Sequence, residues 1–185
     1  MLKENTTTSS LKKSPEEKVN YAFIDGQNLY QGIKEQGWKL DYKKFRIYLK
    51  EKYKVERAYL FIGYIPQNQD LYAELQEQGY LLKFKPVLHM DQGLKQGNVD
   101  ADLALNVVRY YREYQAAVLV TSDGDFDTTV KYLKKKNKMA VVLSPGEEKC
   151  SVLLKIAAQD KIDFLNNLRP KVELIHEKAP LQDET

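Results

Sequence analysis

Residues 117–135 read AVLVTSDGDFDTTVKYLKK. The stretch opens as an apolar run, closes as a lysine-rich helix-like segment, and places Asp123, Asp125 and Asp127 at alternate positions between the two. An apolar run without polar alternation fits a strand covered on both faces, and a strand that passes into a helix is half of the βα connection that parallel sheets use. Carboxylates this close repel one another. Taking them out of water is costly unless something positive offsets them.

The same pattern repeats on both sides of this stretch. YAFID (21–25), RAYLFIGYI (57–65), YLLKFKPVL (80–88) and MAVVLS (139–144) are apolar strand-like runs. Between them lie the helix-like segments 40–53, with Asp41 placed as an N-cap, 68–79, ended by Gly79, and 98–114. EEKCSVLLKIAAQ (147–159) supplies another beyond the last strand. Strands alternating with helices predict an α/β fold, a Rossmann-like three-layer sandwich around a mainly parallel sheet. Residues 1–18 and 169–185 are polar and without periodicity and are expected to be flexible tails around one domain over 19–168.

Composition narrows the function classes. The chain of 185 residues has a single cysteine, Cys150, which excludes an internal disulfide and a cysteine zinc cluster. Its two histidines, His89 and His176, have no metal-ligand spacing. No segment reaches the roughly 20 apolar residues of a membrane span, and the polar start has no signal-peptide core, so a cytoplasmic protein without a membrane partner is expected. A formal charge of +3 is too small to identify a nucleic-acid partner by itself.

The position of the acids is more informative. Asp25 follows the strand 21–24 directly and Asp123 follows 117–122, so both belong at the carboxyl edge of the sheet. The helix starting near Asn98 begins on that edge as well, and Asp100 falls near the centre of its apolar stripe of Val99, Leu103, Ala104, Val107 and Tyr111. Asp102 and Asn106 lie on its more polar side. A helix N-terminus favours negative charge, and one aspartate can serve as a cap. Neither role accounts for Asp25, Asp100, Asp123 and Asp125 on one edge. Converging carboxylates without histidine or cysteine suit Mg²⁺ or Mn²⁺, and such a cation favours phosphodiester hydrolysis. In IDGQN (24–28), Gly26 permits close backbone approach, and Asn28 can donate to a phosphate or orient Asp25.

With these residues placed, the chain resembles the NYN branch of the PIN-like ribonuclease superfamily. The likeness rests on FIDGQN (23–28), on Val99 and Asp100 in KQGNVDADLAL (95–105), and on TSDGDF (121–126), in that order. It covers about residues 20–165. It implies a PIN-like fold and metal-dependent endoribonuclease chemistry, with Asp25, Asp100, Asp123 and Asp125 as the acidic site and metal ligands. Asp102 and Asp127 are further candidates. Ser122 stands where the family often has glycine, Asn106 replaces an acid carried by many members, and Lys95 lies farther from the aspartate than the usual lysine.

RNA, single-stranded foremost, is the expected partner, with Asn28, Lys95 and Ser122 as substrate contacts and Lys95 the best-placed phosphate ligand. A protein partner or a homo-oligomer is compatible with the sequence. Tyr110 and Tyr114 could stack bases, while Tyr111 is assigned to the core. Lys134–Lys138 read as a solvated helix terminus. Two rival readings remain: a non-catalytic PIN-like module that binds RNA or protein, and a phosphatase of the haloacid dehalogenase type, for which DFDTT (125–129) has the Asp-x-Asp-x-Thr spacing.

Overall fold

The structure is a computed structural model that describes residues 19–90, 93–96 and 99–175; over 86–90 and 93–96 it describes the backbone course alone. The strands are β1 (Asn20–Asp25), β2 (Val55–Tyr64), β3 (Tyr80–Met90), β4 (Gly93–Gln96), β5 (Ala117–Val120), β6 (Met139–Ser144) and β7 (Ile162–Phe164). The helices are α1 (Gly26–Glu35), α2 (Tyr42–Tyr53), α3 (Gln69–Glu77), α4 (Val99–Arg109), α5 (Asp127–Lys135), α6 (Val152–Ala158) and α7 (Arg169–Val172). The sheet order is β4-β3-β2-β1-β5-β6-β7, parallel from β3 to β7, with β4 added antiparallel on β3. This is the three-layer, mainly parallel sandwich that the sequence predicts, with a PIN-like architecture.

Strand β1 shows why its sequence is apolar throughout. Tyr21 and Phe23 face one layer, with Leu103 and Val107 of α4, Val130 of α5 and Leu154 of α6. Ala22 and Ile24 face the other, with Leu29 of α1, Phe45 and Leu49 of α2 and Leu75 of α3. Alternate residues point to opposite faces, and both faces are covered, so a polar side chain at any of these positions would be buried. Only at the strand end does a charge appear.

Helix ends follow local chemistry. Asp41 accepts from the amide of Lys44 at 2.9 Å, as an N-cap should. Lys54 closes α2 in the left-handed conformation at φ 55°, and Gly79 follows α3 at φ 91°.

Several elements depart from the sequence expectation. The segment after Asp25 is the helix α1, whose buried stripe of Gly26, Leu29 and Ile33 holds only two large apolar side chains. The chain also stays packed beyond residue 168. Helix α7 lies against α2, Val172 is fully buried, and the amide of Asp41 donates to the Val172 carbonyl at 2.8 Å. The chain thus stays packed past the expected tail start at residue 169, held by buried Val172 and by backbone pairing of residues 172–174 with residues 39–41. Helix α4 stops at Arg109, which changes the tyrosines. Tyr114 is the fully buried ring, its hydroxyl donating to the Val107 carbonyl at 2.9 Å, while Tyr111 is half-buried. Tyr114 is thus unavailable for base stacking.

Sequence order runs outward from β1 in one direction through β2, β3 and β4, and from β5 in the other through β6 and β7. The carboxyl ends of β1 and β5 form the switch point, where α/β sheets leave a crevice for ligands.

Candidate metal centre

Asp25 ends β1 and is 6% exposed. Its carboxylate caps α1, accepting from the amide of Asn28 at 3.0 Å. The turn between them needs glycine: a Cβ on Gly26 would lie 2.4 Å from Ile62 Cγ2 and 2.8 Å from the Phe61 carbonyl oxygen. Asn28 then spans the switch point. Its side-chain oxygen accepts from the Ser122 amide at 2.8 Å and from the Ser122 hydroxyl at 3.0 Å. Asn28 and Ser122 therefore lock β1 to the loop after β5, a positioning role that their expected contact with substrate did not include.

The loop itself is held at both ends. Buried Thr121 accepts the Asp123 amide on its hydroxyl at 3.1 Å, and Asp123 Oδ1 accepts the Asp125 amide at 3.0 Å in a 3₁₀ turn over Gly124–Phe126. The Ser151 amide donates to the Ser122 carbonyl at 3.0 Å. Ser151 also packs so closely that a Cβ on Gly124 would fall 2.4 Å from its hydroxyl. Thr121 and Ser151 were not singled out from the sequence. A hydroxyl ending an apolar run signals Thr121, whereas Ser151 is brought in by tertiary packing alone.

Helix α4 delivers Asp100 from its first turn. Carboxylate oxygens of Asp100, Asp123 and Asp125 all lie within 4.8 Å of one another, and Asp25 stands beside this trio. Burial raises the Asp25 carboxyl to about 6; the Asn28 amide opposes the rise, and the charges of Asp100 and Asp123 add to it. Burial also raises Asp100, with Asp123 and Asp125 adding to the effect. The donor set is made of carboxylate oxygens whose repulsion a cation would relieve, which fits a hard divalent ion such as Mg²⁺ or Mn²⁺.

The neighbouring acids are different. Asp102 pairs with Lys85 at 2.6 Å, and Asp127 pairs with Lys131 at 2.6 Å while accepting from the Thr128 hydroxyl at 2.9 Å. Both lie outside the trio, and lysine already offsets their charge. Asn106 donates from its side chain to the Asp102 carbonyl at 2.8 Å, within its own helix. Lys95 is in β4, and its side chain lies outside the described residues, as does that of His89. The phosphatase motif is dispersed: Asp125 sits in the 3₁₀ turn beyond the strand, and Asp127 is held by Lys131 in α5.

The sequence pattern of the NYN domain matches residues 21–166, a span that contains every one of these acids. The chain belongs to the NYN domain family. A curated relative, the low amplitude and bright protein LabA of Synechococcus elongatus, is 25% identical over 168 residues, covering 85% of this chain and 89% of its own. Among solved structures, a Vibrio parahaemolyticus protein of unknown function superposes with a TM-score of 0.69 at 21% identity, covering 88% of this chain and 100% of that one. At that identity the likeness concerns the fold. Among the described residues of this NYN domain, no helix is long and apolar enough to cross a membrane.

Proposed function

We propose that this NYN domain is a metal-dependent endoribonuclease that hydrolyses phosphodiester bonds in RNA, with single-stranded RNA its preferred substrate. The observation that carries this reading is the convergence of Asp100, Asp123 and Asp125 at the switch point, with buried Asp25 beside them. Asp100, Asp123 and Asp125 would hold Mg²⁺ or Mn²⁺. Such an ion, when bound, activates water and stabilises charge on a phosphate.

The chain's own residues do the rest. Asp25 adds negative charge from a buried position and, as the cap of α1, fixes where the β1–α1 turn sits. Asn28 and Ser122 keep that turn in register with the acidic loop, and Thr121 sets the backbone of Asp123. Lys95, in the hairpin strand that precedes α4, is the phosphate contact in this proposal.

The test is incubation of the purified chain with labelled single-stranded RNA and matched DNA in Mn²⁺, Mg²⁺ or EDTA, alongside Asp123→Asn. Cleavage of RNA that requires both the metal and Asp123 is the expected result. RNA retention without cleavage, unchanged in Asp25→Asn, would instead identify a binding module.

A further inference from the structure

A concavity lies on the other face of the sheet from α4, beside the carboxyl end of β1. It is a cleft of about 620 Å³ between α1 and α3, floored by Leu60 and Ile62 of β2. Gly26 and Gln27, the two residues that follow Asp25, form part of its wall. The cleft and the acidic site therefore share the first turn of α1. Gly26 makes this junction tight, since its missing side chain is what lets α1 start against Ile62.

Two large side chains at the cleft are left open to solvent: Tyr30 is 53% exposed and Leu71 is 45% exposed. The opposite wall is preformed. Tyr72 accepts the Ile65 amide on its hydroxyl at 2.8 Å and donates to the Gly63 carbonyl at 3.2 Å, which fixes the loop from β2 to α3. Gln27 and Asn68 add amide groups that can both donate and accept, as the edge of a nucleobase requires. Lys34 Nζ lies over the Tyr30 ring, 5.6 Å from its centre, so this ring already accepts a cation on one face.

We propose that this cleft receives one unpaired nucleobase of the substrate strand, stacked on Tyr30, next to the phosphate held at the acidic edge. The inference rests on the ribonuclease reading and specifies its substrate. A base can enter a slot between two helices only after leaving a duplex stack, so the occupant must come from a single-stranded or looped segment. An apolar and aromatic lining with few amides suits stacking and gives modest base selectivity.

The experiment uses the full chain and a short labelled RNA in which one base at a time is removed, with Tyr30→Ala and Tyr30→Phe as variants. One position is expected to stand out: loss of its base, or Tyr30→Ala on the intact RNA, lowers cleavage efficiency by roughly tenfold or more, and the two losses do not add. Tyr30→Phe keeps the ring and restores the parent behaviour. If the parent cleaves RNA but no position stands out and Tyr30→Ala is silent, the cleft inference is overturned and the nuclease reading survives. If the parent cleaves nothing, anisotropy binding of the same RNAs decides. A position-specific, Tyr30-dependent loss of affinity supports the base slot without the nuclease, and uniform binding overturns it, leaving an apolar peptide segment as the occupant.

Discussion

At the amino end of the sheet, Arg57 pairs with Glu113 at 3.1 Å, and Lys138 donates to the carbonyls of Tyr111 and Tyr114 while lying over both rings. At the carboxyl end, Asp25, Asp100, Asp123 and Asp125 face one another, and the charges that raise Asp25 and Asp100 come from other carboxylates. The same sheet thus matches charge at one end and concentrates one sign at the other. Within the acidic end the contrast recurs over two residues: Asp100 against Asp102, and Asp125 against Asp127. In each pair the first joins the trio and the second holds a lysine. Acidity alone does not mark a site. Lack of a lysine or arginine partner among the described residues does.

The strongest way to test this contrast is to remove a member of the trio. Asp123→Asn or Asp100→Asn is expected to lower RNA cleavage by on the order of a thousandfold while circular dichroism stays unchanged, because the charge is needed for the ion and for the transition state but not for the core. Full activity in both folded variants would refute the assignment of the site.

A second expectation concerns stability without metal. Asp25 is raised from 3.8 to about 6, so the folded chain binds a proton more readily than the unfolded one. Such a group contributes its penalty fully above its folded value, and the penalty disappears as pH falls below the unfolded value. In EDTA, Asp25→Asn should therefore be more stable than the parent at neutral pH, by up to roughly 3 kcal/mol, with the difference closing toward pH 4. Asparagine also retains the cap of α1. Chemical denaturation across this pH range measures the gap, and a constant gap would contradict it.

Gly26→Ala tests the junction between the acidic edge and β2. Its Cβ would meet Ile62 and the Phe61 carbonyl, and overpacking of this kind costs about 1–3 kcal/mol. The smallest effects belong to the compensated acids. Asp102→Asn and Asp127→Asn should cleave at the parent rate, and a loss as large as that of Asp123→Asn would erase the distinction between the two sets.

Much of this was legible in the sequence because the physics was local. Apolar runs marked β1, β2, β5 and β6, and their direction put Asp25 and Asp123 at one edge. Asp127 could also have been discounted in advance, since Lys131 stands four residues on along a helix. Other features needed the third dimension. The partner of Asp102 is Lys85 on β3, and the loop of Asp123 is packed by Ser151, distant in sequence from it. Helix α1 was obscured by a stripe with only two large apolar side chains, and α7 by its length. The cleft beside α1 had no linear signature, because Tyr30, Ile62 and Leu71 come from three different elements.

The most direct test of the central claim is a Mn²⁺ titration of the full chain at neutral pH, followed by electron paramagnetic resonance, for the parent, Asp123→Asn and Asp127→Asn. Saturable Mn²⁺ binding in the parent and Asp127→Asn, lost in Asp123→Asn, is the predicted result. Equal binding in all three, or none in the parent, would show that Asp100, Asp123 and Asp125 at the carboxyl edge do not form a metal centre.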